Sequence, residues 1–489
     1  INSYKRPNLL HMKTYLLSLL CLGILLVACK DEKKEDTSME EMETVSPIND
    51  EVLENAVIYE ANIRQYSPEG TFDAFTADIP KLKDLGVKII WLMPIHPISM
   101  EKRKAQGDLL VADIEDPEER KKYLGSPYAV ANYTEVNPDL GTMEDFGELV
   151  ETAHQNGMYV IIDWVPNHTG WDHHWITEHP EYYTKNDKGE ITDPIQDNGE
   201  PWGWTDVADL NYDNQEMRKA MINEMLFWVT EQNIDGFRCD VAHGVPLDFW
   251  QTAIPRLRSE KEIFMLAEAE IPALMQGNDL FDMSYAWEGH HVLNQIAQGK
   301  ENVKRFDRYM DSLSVKLEKD DILMNFVTNH DENAWAGPLR ERMGDASKAM
   351  TALSYCMPGM PLIYSGQEYD LNRRLSFFGK DSIPKERGEM WSLLEQLGML
   401  KNDIPALEGG KHAAIYERLT TSQDDTVLAF RRKKGESELI YIGNLSKDPV
   451  SFTMDVTGSF QNMLSGDIVS FDGSPQELAP WVYHILVKQ

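Results

Sequence analysis

Cysteine is scarce in this chain, basic residues are outnumbered, and no apolar run is long enough to cross a bilayer. With 4 cysteines in 489 residues, a disulfide framework cannot stand in for a hydrophobic core. Two of the four, Cys239 and Cys356, lie among apolar neighbours and read as small core residues. No disulfide is expected, although spacing alone does not exclude one between them. Lys and Arg total 47 against 81 Asp and Glu, a net charge of −34. That balance argues against nucleic acid, whose phosphates require a basic surface. It suits a soluble protein with a neutral partner. The longest apolar run, Tyr15 to Val27, is about 13 residues, short of the roughly 20 that span a membrane. What is present is core material: 42% hydrophobic and 10% aromatic residues. At roughly 100–200 residues per domain, the length suggests two to four domains.

The first 28 residues read as something other than fold. Ile1 to His11 resemble translated upstream sequence. Met12, Lys13 and the apolar run that follows have the layout of a secretion signal. The run closes on Leu26-Val27-Ala28-Cys29, which resembles a bacterial lipoprotein cleavage box with Cys29 as the lipidated residue; an ordinary signal with a chance cysteine is the alternative. Residues 29–55 are rich in charge and read as a disordered tether. Attachment to a membrane, on the periplasmic face or the cell surface, is therefore expected through the lipid alone.

From Val57 onward apolar, β-rich runs alternate with helical patterns. Eight strands are expected: Val57–Ile63, Val87–Leu92, Tyr159–Asp163, Asp235–Arg238, Phe264–Glu268, Phe281–Tyr285, Leu323–Asn329 and Pro361–Tyr364. Helices are expected between most of them, including Phe72–Leu85 and Thr142–Asn156, the latter capped by Thr142 with Asp145 three residues on. Eight βα units in roughly 310 residues fit a (β/α)8 TIM-type barrel across 56–404. Residues 168–211 are polar, rich in Trp, Gly and Asp, and too long for a simple loop, so they read as a subdomain inserted after strand 3. A second, heavily charged insertion covers Ile98 to Tyr128. Residues 405–489 change to short strands and turns, Thr426–Arg431, Glu438–Asn444 and Val450–Val456 among them, and read as a C-terminal antiparallel β domain of sandwich type.

Barrels of this kind hold their catalysts at the C-terminal strand ends. There the third expected strand runs into Asp163-Trp-Val-Pro-Asn-His168, the fourth into Gly236-Phe-Arg238-Cys-Asp240, the fifth into Leu266-Ala-Glu268, and the seventh into Asn329-His330-Asp331. Singly, each fragment has a structural explanation: a turn, or a buried ion pair. Arg238 lies two residues before Asp240, hence on the same side of an extended strand. Its fixed charge favours an ionised Asp240. Glu270 rivals Glu268, since both face one side of an extended strand, but Glu268 ends the apolar run.

In this order and on these strands, the fragments resemble the signatures of the α-amylase superfamily of retaining glycosidases, over about Val57 to the C-terminus. Gly86–Pro94 and Asp209-Leu-Asn211 add to the resemblance. It implies Asp240 as nucleophile, Glu268 as acid/base with a raised pKa, and Asp331 as stabiliser of the cationic transition state. It also implies sugar contacts from His168, His330 and Tyr128, with Asp163 orienting Arg238. A structural Ca2+ held by Asn167, Asp209 and the Gly244 carbonyl follows from the same resemblance, and hard oxygen donors suit that ion. The alternative for Asn167 and Asp209 is a hydrogen-bonded tie. The sequence departs from the pattern at His243-Gly244, where the family often has Lys-His, and at Ala129, where Asp is common. The departure at His243-Gly244 falls on the acceptor side.

Trp171, Trp175, Trp202 and Trp204 crowd the insertion, and one or two are expected to contact substrate. His173 and His174 read as surface residues, and Asn186–Gly189 as a tight turn. The expectation is an α-glucan hydrolase of α-amylase type. Alternatives are a neopullulanase, an oligo-1,6-glucosidase or a transglycosylase on the same machinery, or a non-catalytic glucan-binding lipoprotein.

Overall fold

Eight parallel strands close on themselves around an apolar lumen. They are β1 (Val57–Ala61), β2 (Val87–Leu92), β3 (Tyr159–Trp164), β4 (Gly236–Cys239), β5 (Phe264–Ala267), β6 (Met283–Tyr285), β7 (Ile322–Asn325) and β8 (Met360–Tyr364). The computed structural model describes residues 45–196, 199–277 and 280–488. Each strand pairs with its sequence neighbours and β1 pairs with β8, completing the (β/α)8 barrel. Near-continuous apolar runs such as Val57-Ile-Tyr suit strands covered on both faces. Alternate residues divide between two clusters: Ile58, Ile89, Ile161, Phe264, Leu266, Met324 and Leu362 fill the lumen, while Val57, Ile90, Val160 and Phe237 pack against the helices.

Several elements differ from their sequence expectations. The first, sixth and seventh strands are shorter than expected, and Ile63–Tyr66 forms a helical turn. The single helix expected over Phe72–Leu85 is broken into Phe72–Thr76, Ile79–Leu82 and a 3-10 turn, Lys83–Leu85. Pro80 explains the break, since it has no N–H to donate back into a continuous helix. By contrast, Met143–Gln155 forms as expected, with a reciprocal Thr142–Asp145 capping box.

The tether was expected to reach about Asn55, and this is corrected. Asn49 caps the helix Asp50–Asn55, and Ile48 and Leu53 are buried in the cluster that fills the lumen. Those two apolar side chains gain more from closing the barrel floor than the acidic Asp50 and Glu51 lose, because the latter stay at the surface. Residues 1–44, with the expected signal and Cys29, lie outside the described residues.

The inserted subdomain begins and ends in a two-stranded ribbon, His168–Gly170 against Val207–Asp209, with His168 opposite Asp209. The earlier insertion carries a small hairpin, Lys104–Gln106 with Leu109–Leu110. Beyond the helix Glu389–Asp403, the C-terminal domain is a six-stranded antiparallel sheet with a separate pair, Val450–Phe452 and Gln476–Leu478. Cys239 and Cys356 are buried and free.

Candidate active site

The strand period of two turns the lumen from apolar to polar at its C-terminal end. Above Ile58 stands Glu60; above Ile89, Trp91; above Ile161, Asp163; above Leu266, Glu268. Arg238 and Asp240 rise above Gly236 on β4, with Arg238 in register beside Asp163. Gly236 is required there: its φ is 150° and a Cβ would fall 1.9 Å from the Phe264 carbonyl oxygen.

Arg238 is fully buried and organises the layer. Nη1 donates to Asp163 Oδ1 at 2.8 Å and to Asp240 Oδ1 at 2.9 Å. Nη2 lies 3.0 Å from Glu268 Oε1, an ion pair outside good hydrogen-bond alignment. Nε donates to the Tyr285 hydroxyl at 3.1 Å. The other Glu268 oxygen, Oε2, accepts the Val241 backbone N–H at 2.8 Å. Val241 makes that contact from the left-handed region, at φ 43°. This is a costly conformation for a β-branched residue. Asp240 and Glu268 thus sit on the two terminal nitrogens of one guanidinium.

A second string of groups runs across the opposite wall. The Tyr128 hydroxyl donates to Asp163 Oδ2 at 3.2 Å and lies 2.8 Å from His330 Nε2. Trp91 Nε1 donates to the same Asp163 oxygen at 3.2 Å. His330 Nδ1 is 2.5 Å from Glu60 Oε1, and its Nε2 is 3.4 Å from Asp331 Oδ2. Trp335 Nε1 donates to Asp331 Oδ1 at 3.2 Å. His168 meets Trp204 edge to face, 5.8 Å between centroids.

These residues line one cleft of about 450 Å³ that includes Tyr128, His168, Asp240, Glu268, His330 and Asp331, walled by Trp204, Trp335, Phe377 and Phe378. An adjoining recess of about 360 Å³ continues past Glu268, lined by Trp202, Trp204, His243, Ile271 and Trp287. Trp202 and Trp204 stack in parallel at 5.1 Å. Glu270 takes another job. The strand ends at Ala267, so the alternation stops, and Glu270 Oε2 accepts the Glu288 N–H at 2.6 Å in the first turn of the helix Trp287–Ala297.

The electrostatics depart from the sequence expectation. Burial, then the Glu268 charge, raise Asp240 well above the usual carboxylate range, although Arg238 opposes both. Burial also pushes Glu268 up, but Arg238 and the Val241 N–H outweigh it and hold Glu268 low. The reason is that Glu268 has two partners for its charge while Asp240 faces two other carboxylates. Burial lowers the His168 imidazole to about 4, leaving it neutral. For His330 burial is overcome by Asp331 and Glu60, which lift it to about 9.

Residues 35–403 match the family described as alpha amylase, catalytic domain. The chain belongs to that family. Among its relatives, the α-amylase MalA of Haloarcula japonica is 24% identical over 427 residues, covering 85% of this chain and 59% of MalA. An α-1,4-glucan:maltose-1-phosphate maltosyltransferase of Cereibacter sphaeroides is 34% identical over 402 residues, covering 78% of this chain and 63% of the relative. The chain thus spans about three fifths of the length of both. In structure it is similar to the maltogenic α-amylase AmyB of Thermotoga neapolitana, with a TM-score of 0.76, 29% identity, and coverage of 88% and 98% of the two chains.

The α-amylase-family residues expected to hold calcium lie where the insertion meets the barrel. A Cβ on Gly244 would fall 2.9 Å from Asn167 Oδ1, so the Gly244 backbone and the Asn167 side chain adjoin. Asp209 sits in the ribbon opposite His168; burial, aided by Asp193, raises it to about 6. Among the described residues no group of three His, Cys, Asp or Glu side chains is placed to hold a metal ion, so an ion here would rely on Asp209 together with amide and carbonyl oxygens. Asn186 Oδ1 accepts the Lys188 and Glu190 N–H groups, making the expected turn. His173, expected at the surface, is buried against Tyr133 and Trp175. Glu60, Trp91, Tyr285, Trp335 and Phe377 were not anticipated as site residues. Glu60 left a signal, a carboxylate inside the apolar run Val57-Ile-Tyr-Glu-Ala.

Proposed function

We propose that this protein hydrolyses α-1,4-glucosidic bonds of starch or maltodextrin with retention of configuration. One observation carries the reading: Asp240 and Glu268 share the Arg238 guanidinium, at 2.9 Å from one terminal nitrogen and 3.0 Å from the other, at the base of an aromatic-walled cleft. An inverting pair would need about 6.5–9.5 Å between carboxyls to admit a water. Here Asp240 attacks the anomeric carbon as Glu268 gives its proton to the departing oxygen. Glu268 then takes a proton from water, which attacks the glycosyl ester and frees Asp240. In the free site burial raises Asp240, whereas Arg238 and the Val241 N–H hold Glu268 low against the same burial. The double displacement requires Asp240 ionised beside Arg238 and Glu268 protonated when the sugar is bound. Asp331 faces the developing positive charge, and Tyr128, His168 and His330 contact the same sugar.

Mutating Asp240 to Asn should abolish maltooligosaccharide cleavage, and product NMR should show the α-anomer released first. Full activity in D240N, or first release of the β-anomer, would overturn the reading. A second reading, transfer to a sugar acceptor, is favoured by the apolar recess of Trp202, Trp204 and Trp287 beyond Glu268. The name of the Cereibacter sphaeroides relative points the same way. Chromatography of products from starch, pullulan and isomaltose separates the two and the 1,6-specific variants; products longer than the substrate mark transfer. Binding of maltoheptaose with no reducing ends released would instead mark a non-catalytic binder.

We also propose a structural Ca2+ at Asn167, Asp209 and the Gly244 carbonyl. Supporting it are the all-oxygen donor set and the burial of Asp209, which raises its carboxyl to about 6. Chelation should lower the melting temperature and added Ca2+ restore it; an unchanged melting curve rules the ion out. Lipidation at Cys29 is proposed from the cleavage box alone, and mass spectrometry of the mature N-terminal peptide tests it.

A further inference from the structure

Glu60 has no part in the mechanism above, yet it is fully buried at the C-terminal end of β1, with Oε1 2.5 Å from His330 Nδ1 and Oε2 without a partner. A buried carboxylate is costly unless a charge answers it. We propose that Glu60 is a positioning residue: it keeps His330 doubly protonated, and the imidazolium thereby sets the direction of the hydrogen bonds that run through Tyr128 to Asp163. The proposal rests on the glycosidase reading for the role of Asp240 and on geometry for the rest.

With both ring nitrogens protonated, Nδ1–H donates to Glu60 and Nε2–H donates to the Tyr128 hydroxyl at 2.8 Å. Tyr128 must then donate onward to Asp163 Oδ2 at 3.2 Å. Asp163, satisfied from that side, shares Arg238 Nη1 with Asp240. A neutral His330 has a single N–H. With Nδ1–H held by residue 60, Nε2 would present a lone pair and draw the Tyr128 proton away from Asp163. Asp163 would then compete more strongly with Asp240 for Arg238. The other groups facing the pair are Asp331 beside His330, Arg238 on β4, Glu268 after β5, Tyr285 on β6 and Tyr364 on β8. Asp331 and Glu60 favour the imidazolium, and Arg238 and burial oppose it.

The test is Glu60→Gln, read two ways. Nitrogen-15 NMR of histidine-labelled protein, with His330 assigned by its loss in H330Q, should show a doubly protonated ring at pH 7.5 in the parent and a neutral ring in E60Q. In kinetics, E60Q should gain a new alkaline loss of kcat/KM centred near the ordinary histidine value of about 6.5. It should be at least tenfold impaired at pH 8 and recover most of the deficit at pH 5.5. The double variant E60Q/H330Q should be no worse than H330Q. A neutral His330 in the parent at pH 7.5 overturns the proposal. So does an E60Q profile parallel to the parent at every pH. The spectrum of the parent decides even where E60Q folds poorly, and it stands apart from turnover, so failure of the glycosidase reading would remain distinguishable.

Discussion

Replacing Arg238 by Met is the most demanding perturbation of this site. Methionine fills a similar volume without charge. It removes the donors to Asp163, Asp240 and Tyr285 and the cation 3.0 Å from Glu268. The guanidinium also lies 5.0 Å from the centroid of the Trp91 ring, a contact methionine retains only as apolar packing. Removing one partner of a buried pair costs about 3–5 kcal/mol. Three carboxylates do not triple that figure, because the folded protein takes up protons instead of holding unanswered charges. The loss should therefore be about 4 kcal/mol near neutral pH. At roughly 2 °C per kcal/mol in a domain this large, the melting temperature should fall by about 8 °C.

The pH dependence is the sharper part. In R238M the folded carboxylates titrate above their unfolded values of about 4. Between those limits the folded state binds more protons than the unfolded state, so stability falls as pH rises. The deficit relative to the parent should be smallest near pH 4 and grow toward pH 8. Thermal or urea unfolding across that range, with circular dichroism as the probe, measures it. A melting temperature within about 2 °C of the parent at pH 8, or a deficit equal at pH 5 and pH 8, would refute the claim that this guanidinium holds the three carboxylates.

Two further outcomes follow from the geometry. Glu268→Gln should lower kcat by about 10²–10⁴, whereas Glu270→Gln should keep most of the activity and lose about 1 kcal/mol through a weakened helix start; steady-state kinetics and melting of both variants check the split. Leu53→Ala should cost about 2–5 kcal/mol with KM unchanged, because Leu53 seals the lumen floor opposite the cleft, and loss of activity without loss of stability would contradict that placement.

What could be read from the sequence, and what could not, divides along a physical line. The order Asp163, Arg238, Glu268, Asp331 was visible because strand alternation and residue chemistry are local properties. Glu268 could be preferred over Glu270 as the end of the apolar run, and the end of β5 at Ala267 supplies the physical reason. Trp91 and Tyr285 were hidden because an aromatic in a strand reads as core, although its polar tip can serve a site. The barrel floor was hidden by composition: Asp50 and Glu51 mask the two apolar residues that decide the fate of that segment. The protonation pattern was the least accessible, since it depends on distances between strands. From spacing, Arg238 answers Asp240 alone; in the fold it answers three carboxylates at once, and Glu268 gains the Val241 N–H in addition. That difference favours the charged form of Glu268, while burial raises Asp240.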